Sequence, residues 1–175
     1  MGIFNKMKGR TAAKVGLVGG ILATVSVALT WMSISLSRYT ASESASASGL
    51  DIILGSAIHA LESPERFIMG VGIGLKEIIL VVLIGGILAL VGGIGMLLTR
   101  VRAIGFLLPI GGILALAAGI WGLAVVIPST VDFLEYLAKQ IPGQSVSASA
   151  GYGIYVGIVG AILAVIGSLS LKGGD

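Results

Sequence analysis

Four long apolar stretches punctuate the chain, at residues 15–36, 78–98, 103–127 and 152–171, and the polar positions gather between them. Each stretch has at least 20 residues. At a helical rise of about 1.5 Å per residue, 20 residues cover about 30 Å, the thickness of a hydrocarbon core. A segment in lipid must satisfy its own backbone hydrogen bonds, so each stretch predicts one transmembrane α-helix. The expected fold is an all-α membrane protein: a four-transmembrane-helix bundle forming a single domain over residues 1–175, with outer loops at 37–77 and 128–151. A cleaved signal peptide would also have a basic start and small residues such as Ser44 to Ser48, but the first apolar stretch is too long for one.

Both loops carry a second pattern. Serine occupies alternate positions in Ser42-Glu43-Ser44-Ala45-Ser46-Ala47-Ser48-Gly49 and in Ser145-Val146-Ser147-Ala148-Ser149-Ala150-Gly151. Period two is the strand period, so the two stretches are candidates to pair as a small β-ribbon on the extracellular side; solvated loop is the alternative. Each loop also holds a short amphipathic helix pattern. In the first, Leu50, Ile53, Leu54, Ala57, Ile58 and Leu61 share one face, with Pro64 beyond. In the second, Val131, Leu134, Leu137, Ala138 and Ile141 form a stripe that Pro142-Gly143 closes, and Ser129 with Asp132 resembles a capping box. Such helices either cover the bundle or dock a partner or lipid headgroups.

Within the spans, small residues recur at four-residue spacing. The candidate packing positions are Gly16 and Gly20; Gly85, Ala89 and Gly93; Gly111, Ala115 and Gly119; and Gly153, Gly157 and Ala161. Each set makes a groove that lets another helix backbone approach closely. A pentapeptide also repeats, Gly-Gly-Ile-Leu-Ala at 19–23, 85–89 and 111–115, with Gly-Ala-Ile-Leu-Ala at 160–164. Duplication of a helical hairpin and convergent packing chemistry both account for it. Thr24, Ser26, Thr30, Ser33 and Ser35 add a polar thread to the first span, where hydroxyls commonly bond their own helix backbone. Pro109 is placed to kink the third span, and Pro128 to end it.

Composition adds a solvent and a direction. Mean hydropathy is +1.08, and only 11% of the 175 residues are charged, against 56% hydrophobic. The charges lie outside the four stretches, so they are sorted by depth. Lys6, Lys8, Arg10, Lys14, Arg100, Arg102 and Lys172 fall in the three short inner segments with one acid, Asp175. The two loops hold Arg38, Arg66, Lys76 and Lys139 against seven acids. The positive-inside rule then predicts a multi-pass protein of the cell membrane with both termini cytoplasmic. Trp31, Trp121, Lys76, Arg100 and Arg102 are the expected interface anchors; Lys76 snorkels beside Glu77 at the outer edge.

Candidate chemistry is sparse. The chain has no cysteine and one histidine, His59, which removes disulfides, thiolate metal sites, iron–sulfur clusters and paired-histidine motifs. His59 with Glu62 three residues on reads as a capped surface histidine. No ionisable residue lies at depth, where a proton relay or ion path needs one. A count of 28 glycines would also suit unwound transporter helices, but the missing charges argue against that. Gly70-Val71-Gly72-Ile73-Gly74 and Gly151-Tyr152-Gly153 lead into spans, not from a strand into a phosphate loop. No catalytic set, metal site or cofactor is expected, and the basic amino terminus suits anionic lipid headgroups, not nucleic acid.

The layout of four spans, termini inside, a longer first outer loop with strand-like residues followed by a helix, and a shorter second loop resembles the claudin and PMP22-like tetraspans. The claudin Trp-Gly-Leu-Trp segment and cysteine pair are absent; Trp31 stands alone. The chain is also similar to small uncharacterised prokaryotic tetraspans, in which a tryptophan closes span one, a segment like Ser48-Gly49-Leu50-Asp51 follows, and Gly-Tyr-Gly opens span four. Neither likeness implies an activity. The expected function is that of a non-enzymatic structural or accessory membrane component, acting by lateral helix packing and outer-loop contacts, as a homo-oligomer or within a larger complex in the lipid bilayer. The alternative is a channel or carrier for a small neutral or apolar solute.

Overall fold

The computed structural model describes residues 9–38, 41–54, 74–98, 102–140 and 142–171. In chain order they form α1 (Gly9–Val25), a 3-10 turn (Ser26–Ala28), β1 (Thr30–Arg38), β2 (Ala41–Ser48) and α2 (Gly49–Leu54). Then come α3 (Leu75–Leu98), α4 (Arg102–Gly105), α5 (Leu107–Trp121), a π-helical turn (Gly122–Val126), α6 (Ile127–Lys139), β3 (Gln144–Ala150) and α7 (Tyr152–Leu171). Four helical stretches are long and apolar enough to cross a membrane: Thr11–Ala28, Leu75–Leu98, Leu107–Tyr136 and Tyr152–Leu169.

These four pack as a ring. Helix α1 lies against α3 and α7, and α5 lies against the same two, while the diagonal pairs touch far less. The repeated pentapeptide explains the ring. Neighbouring residues on a helix point about 100° apart, and each helix in a ring of four meets its two neighbours roughly at right angles. Two adjacent glycines therefore serve two neighbours. Gly19 faces Gly160 and Ala164 of α7, while a Cβ on Gly20 would fall 2.6 Å from the Leu90 nitrogen of α3. On α3, a Cβ on Gly85 would fall 2.7 Å from the Gly111 carbonyl oxygen of α5, and one on Gly86 would fall 2.9 Å from the Thr24 nitrogen of α1. On α5, Gly111 faces Gly85 in return, and a Cβ on Gly112 would meet the Val165 nitrogen of α7 at 3.1 Å. All four copies thus lie at one level of the bundle. Outward positions such as Val81, Ile84, Ile87 and Val91 on α3, or Ile110, Ile113 and Ile120 on α5, are large, apolar and exposed.

The first stretch is not one helix over 15–36. Helix α1 ends at Val25, the 3-10 turn closes it, Leu29 turns to extended backbone (φ −88°, ψ 168°), and Thr30–Arg38 is a strand. From residue 32 onward Met32, Ile34 and Leu36 alternate with Ser33, Ser35 and Ser37, the period of a strand. Hydropathy averages that alternation into an apolar run. Nor do the two serine stretches pair with each other. Both flank β1 in an antiparallel sheet of order β2-β1-β3, so the strand taken for the end of a span is the one that joins them.

The third stretch differs too. Pro128 does not end it, because the helix widens into the π turn at 122–126 and continues as α6 to Lys139. A proline has no N–H to give the carbonyl four residues back, and a wider turn is a known accommodation within helices. Ser129 is no N-cap. Its hydroxyl donates to the Val125 carbonyl (2.7 Å), and the buried Thr130 hydroxyl donates to that of Val126 (2.8 Å). At the other end, Pro109 deprives the Gly105 carbonyl of a partner, and the helix breaks at Phe106 between α4 and α5. Helices α3 and α7 occupy the predicted stretches, α3 beginning three residues earlier. Of the second amphipathic stripe, Val131, Leu134, Leu137 and Ala138 lie on α6, where Leu134 and Ala138 are buried in one core with Val146 of β3, and Ile141 lies outside the described residues. Of the first stripe, only Leu50 to Leu54 fall within the described residues, on α2; Ala57, Ile58, His59, Leu61 and Glu62 lie outside them.

Gly85→Leu would drive a side chain into the Gly111 backbone. It is expected to destabilise the bundle by about 3 kcal/mol, read as a lower midpoint of thermal unfolding in detergent, while Ile84→Leu on the outward face leaves the midpoint unchanged. Equal midpoints for the two would contradict the close approach of α3 and α5.

Candidate functional site

The non-helical part of the protein is built on one end of the bundle, and Trp31 joins the two. Residue for residue, β1 pairs with β2 except at its start, where Thr30 opposes Ser48 and Met32 opposes Ala47. Trp31 is the extra residue of this β-bulge, and a bulge re-aims its side chain. Here the indole turns under the sheet and is fully buried. Its Nε1–H donates to the Ser26 carbonyl at 2.7 Å, which also accepts from Leu29 N at 3.1 Å. The last carbonyls of a helix lack intrahelical partners, and Trp31 serves one in the 3-10 turn that closes α1, from the strand that follows it. The Ser26 hydroxyl, also buried, donates to the Ala23 carbonyl at 2.7 Å.

Glycines make room for the ring. A Cβ on Gly153 of α7 would fall 2.8 Å from the indole Cδ1 and 2.9 Å from the Ser26 carbonyl oxygen, and one on Gly49 would fall 3.0 Å from the same Cδ1. Backbone bonds close the joint on both sides: Gly49 N–H to the Leu29 carbonyl (3.2 Å) and Gly151 N–H to that of Trp31 (2.8 Å). Ser48 and Asp51 start α2 as a capping box, with Ser48 N–H and hydroxyl donating to Asp51 Oδ2 (3.0 and 2.7 Å) and Asp51 N–H donating to Ser48 Oγ (3.1 Å). The tryptophan, the Ser-Gly-Leu-Asp segment and the Gly-Tyr-Gly segment thus converge on one buried indole.

Above that joint the sheet has two unlike faces. Met32 and Val146 are buried, and Ile34, Ala47, Ala148 and Ala150 pack partly buried on the same core, which Leu134 and Ala138 of α6 complete. On the opposite face, the registers align serines across the three strands in rows: Ser46–Ser33–Ser149, Ser44–Ser35–Ser147 and Ser42–Ser37–Ser145. Among those whose side chains are described, all are exposed except the half-buried Ser33. Strands lie about 4.8 Å apart and rise about 3.3 Å per residue, so the hydroxyls form a regular uncharged grid.

The remaining sequence-predicted positions fall as follows. All eleven small packing residues, Gly16, Gly20, Gly85, Ala89, Gly93, Gly111, Ala115, Gly119, Gly153, Gly157 and Ala161, are buried within the one chain, so their grooves are filled by the protein's own helices. Of the expected anchors, Trp31 is a core residue and does not reach the outside of the bundle, because the bulge and its hydrogen bond hold it inside. Trp121 is 60% exposed and Tyr155 50%. They lie at one level, since a Cβ on Gly122 would stand 3.0 Å from Ile78 and 3.3 Å from Ile154. Lys76 is exposed, and Glu77 beside it reaches back to accept from Gly74 N–H at 3.0 Å, capping α3. Arg102 begins α4, and Arg100 lies outside the described residues. The hydroxyl thread is divided: Thr24 donates to the Gly20 carbonyl (2.9 Å), whereas Thr30, Ser33 and Ser35 stand on β1. Among the described residues no three His, Asp or Glu side chains come together.

No protein-family model matches the chain, and no curated protein matches it. Four apolar helices fit a tetraspan layout, and no family match supports the claudin and PMP22 likeness.

Trp31→Phe keeps most of the ring volume but removes the donor to the Ser26 carbonyl. Because Leu29 N–H still pairs with that carbonyl, the loss is expected to cost about 1 kcal/mol of stability, measured by thermal unfolding. With Trp121 replaced by Phe, the single remaining tryptophan should emit at short wavelength and resist an aqueous quencher. Free quenching of that residue would contradict its burial.

Proposed function

We propose that this is a non-enzymatic integral membrane protein, structural or accessory in role, that lies in the cell membrane with both termini cytoplasmic and carries its sheet on the other side. What supports the reading is the division of labour between the two ends of the fold. The small residues of the spans are spent on contacts within the chain, and the exterior of the bundle is apolar. Contacts with other proteins then fall to the sheet, to α6 with its exposed Phe133 and Tyr136, and to the outward helix faces. Lateral association, with further copies or in a larger complex, uses those surfaces and not the glycine grooves. The positive-inside distribution supports the orientation, and the level shared by Trp121 and Tyr155 suits a headgroup belt.

The rival reading, a path for a small neutral solute, required Thr24, Thr30 and Ser33 on one wall. Thr24 bonds its own helix and packs at Gly86, where a Cβ would meet its Oγ1 at 2.8 Å, while Thr30 and Ser33 lie beyond the helix end. No observation favours that rival.

The chain has no cysteine, so single introduced thiols report orientation cleanly. Ser147→Cys on β3 should react with an impermeant maleimide in intact cells, and Thr11→Cys near the start of α1 only after permeabilisation. The reverse pattern would refute the orientation. Cross-linking in the membrane before mild extraction should recover the protein with further copies or with a stoichiometric membrane partner; recovery as a lone chain from cross-linked membranes in which it is abundant would refute the accessory role.

A further inference from the structure

We infer that the serine face of the sheet is a self-association surface whose partner is the same face on a second copy of this chain. The inference rests on the proposed associative role and names its partner. An antiparallel sheet with one face on a core ordinarily turns a polar face to water, so exposure alone says nothing; the content of the face does. A serine hydroxyl both donates and accepts, so a grid of them is complementary to an identical grid and needs no counter-charge. The grid repeats in two directions, about 4.8 Å across strands and about 6.6 Å along them. A second copy carries the same lattice by construction. The rows themselves contain only serine: in the registers, Glu43 pairs with Leu36, and Arg38 pairs with Ala41 and Gln144, all off the serine rows.

Strand β3, Gln144–Ala150, has no charge, proline or glycine, and its serine face presents nothing bulky that would hold a second sheet off.

Area decides how such a contact behaves. Three strands and about five residues give a face of roughly 250 Å², hence roughly 500 Å² buried by a pair, against about 1,200 Å² or more for a stable complex. The contact is therefore weak in dilute detergent and forms where a membrane concentrates and orients the copies, as effective concentration rather than intrinsic affinity drives it. A neutral face also makes it insensitive to salt.

The test uses the full chain in phosphatidylcholine vesicles. Ser35→Cys places a thiol at the centre of the grid, and Glu135→Cys places one at an exposed position of α6 as the reference. With a short bismaleimide at high protein density, Ser35→Cys should give about tenfold more covalent dimer than the reference. The excess should vanish when Ser44 and Ser147 beside it are replaced by Glu, with the thermal midpoint of each variant unchanged. Ser149→Cys serves as a second probe of the same face. Equal yields for the face and the reference overturn the inference. In native membranes, a photo-cross-linker on Ser35→Cys that captures a different protein and no second copy overturns the inference and leaves the associative role standing. Capture of nothing from any exposed position overturns both.

Discussion

Close approach of helix backbones is the constraint on which the rest of this fold depends. In lipid, apolar side chains gain little by leaving one apolar surface for another, so helices associate through dispersion contacts between surfaces that fit. Here the fit comes from glycine at the waist of the bundle, where α1, α3, α5 and α7 meet without side chains between them. The pairing of glycines in sequence matters as much as their number. Because adjacent residues point about 100° apart, a Gly-Gly step opens two faces of one helix, and three such steps together with Gly160-Ala161 at one level close a ring. Packing geometry alone therefore gives each copy of the pentapeptide the same task, whatever its origin.

The ring leaves a problem at one end that Trp31 resolves. The Ser26 carbonyl in the turn that closes α1 is covered by protein and has room for two donors, of which Leu29 N–H is one. The bulge at the start of β1 turns the indole back to supply a donor. The same ring fills the space between α1, α7 and the start of α2, which is why Gly49 and Gly153 stand against it. One side chain thereby ends a helix, starts a sheet and fixes the sheet over the bundle. The sheet follows: β1 is hydrogen-bonded on both edges, and its apolar face completes a core with α6.

Much of this was legible in the chain. The four apolar stretches correspond to four helices long enough to cross a membrane, and the turn at Pro142-Gly143, with Gly143 at φ 75°, follows the second amphipathic helix as expected. Both serine stretches are strands. The errors share a cause: a mean over twenty residues hides a change of period within it. Thr30–Arg38 is apolar enough to extend a span, and only its alternation distinguishes it. Proline 128 misled in the opposite direction, since a breaker in sequence is tolerated where a wider turn and two hydroxyls satisfy the neighbouring carbonyls.

The sequence by itself determined which segments are helices of membrane length and which small residues line them, because hydropathy and periodicity are local properties. Only the tertiary structure decided which strands pair, that the glycine grooves close on one another within a single chain, and that Trp31 is a core residue and not an anchor. Those outcomes depend on what lies across from each residue. The two serine stretches are alike in composition, yet what brings them together is a third strand between them, whose pairing partners lie fewer than twenty residues away on one side and more than a hundred on the other.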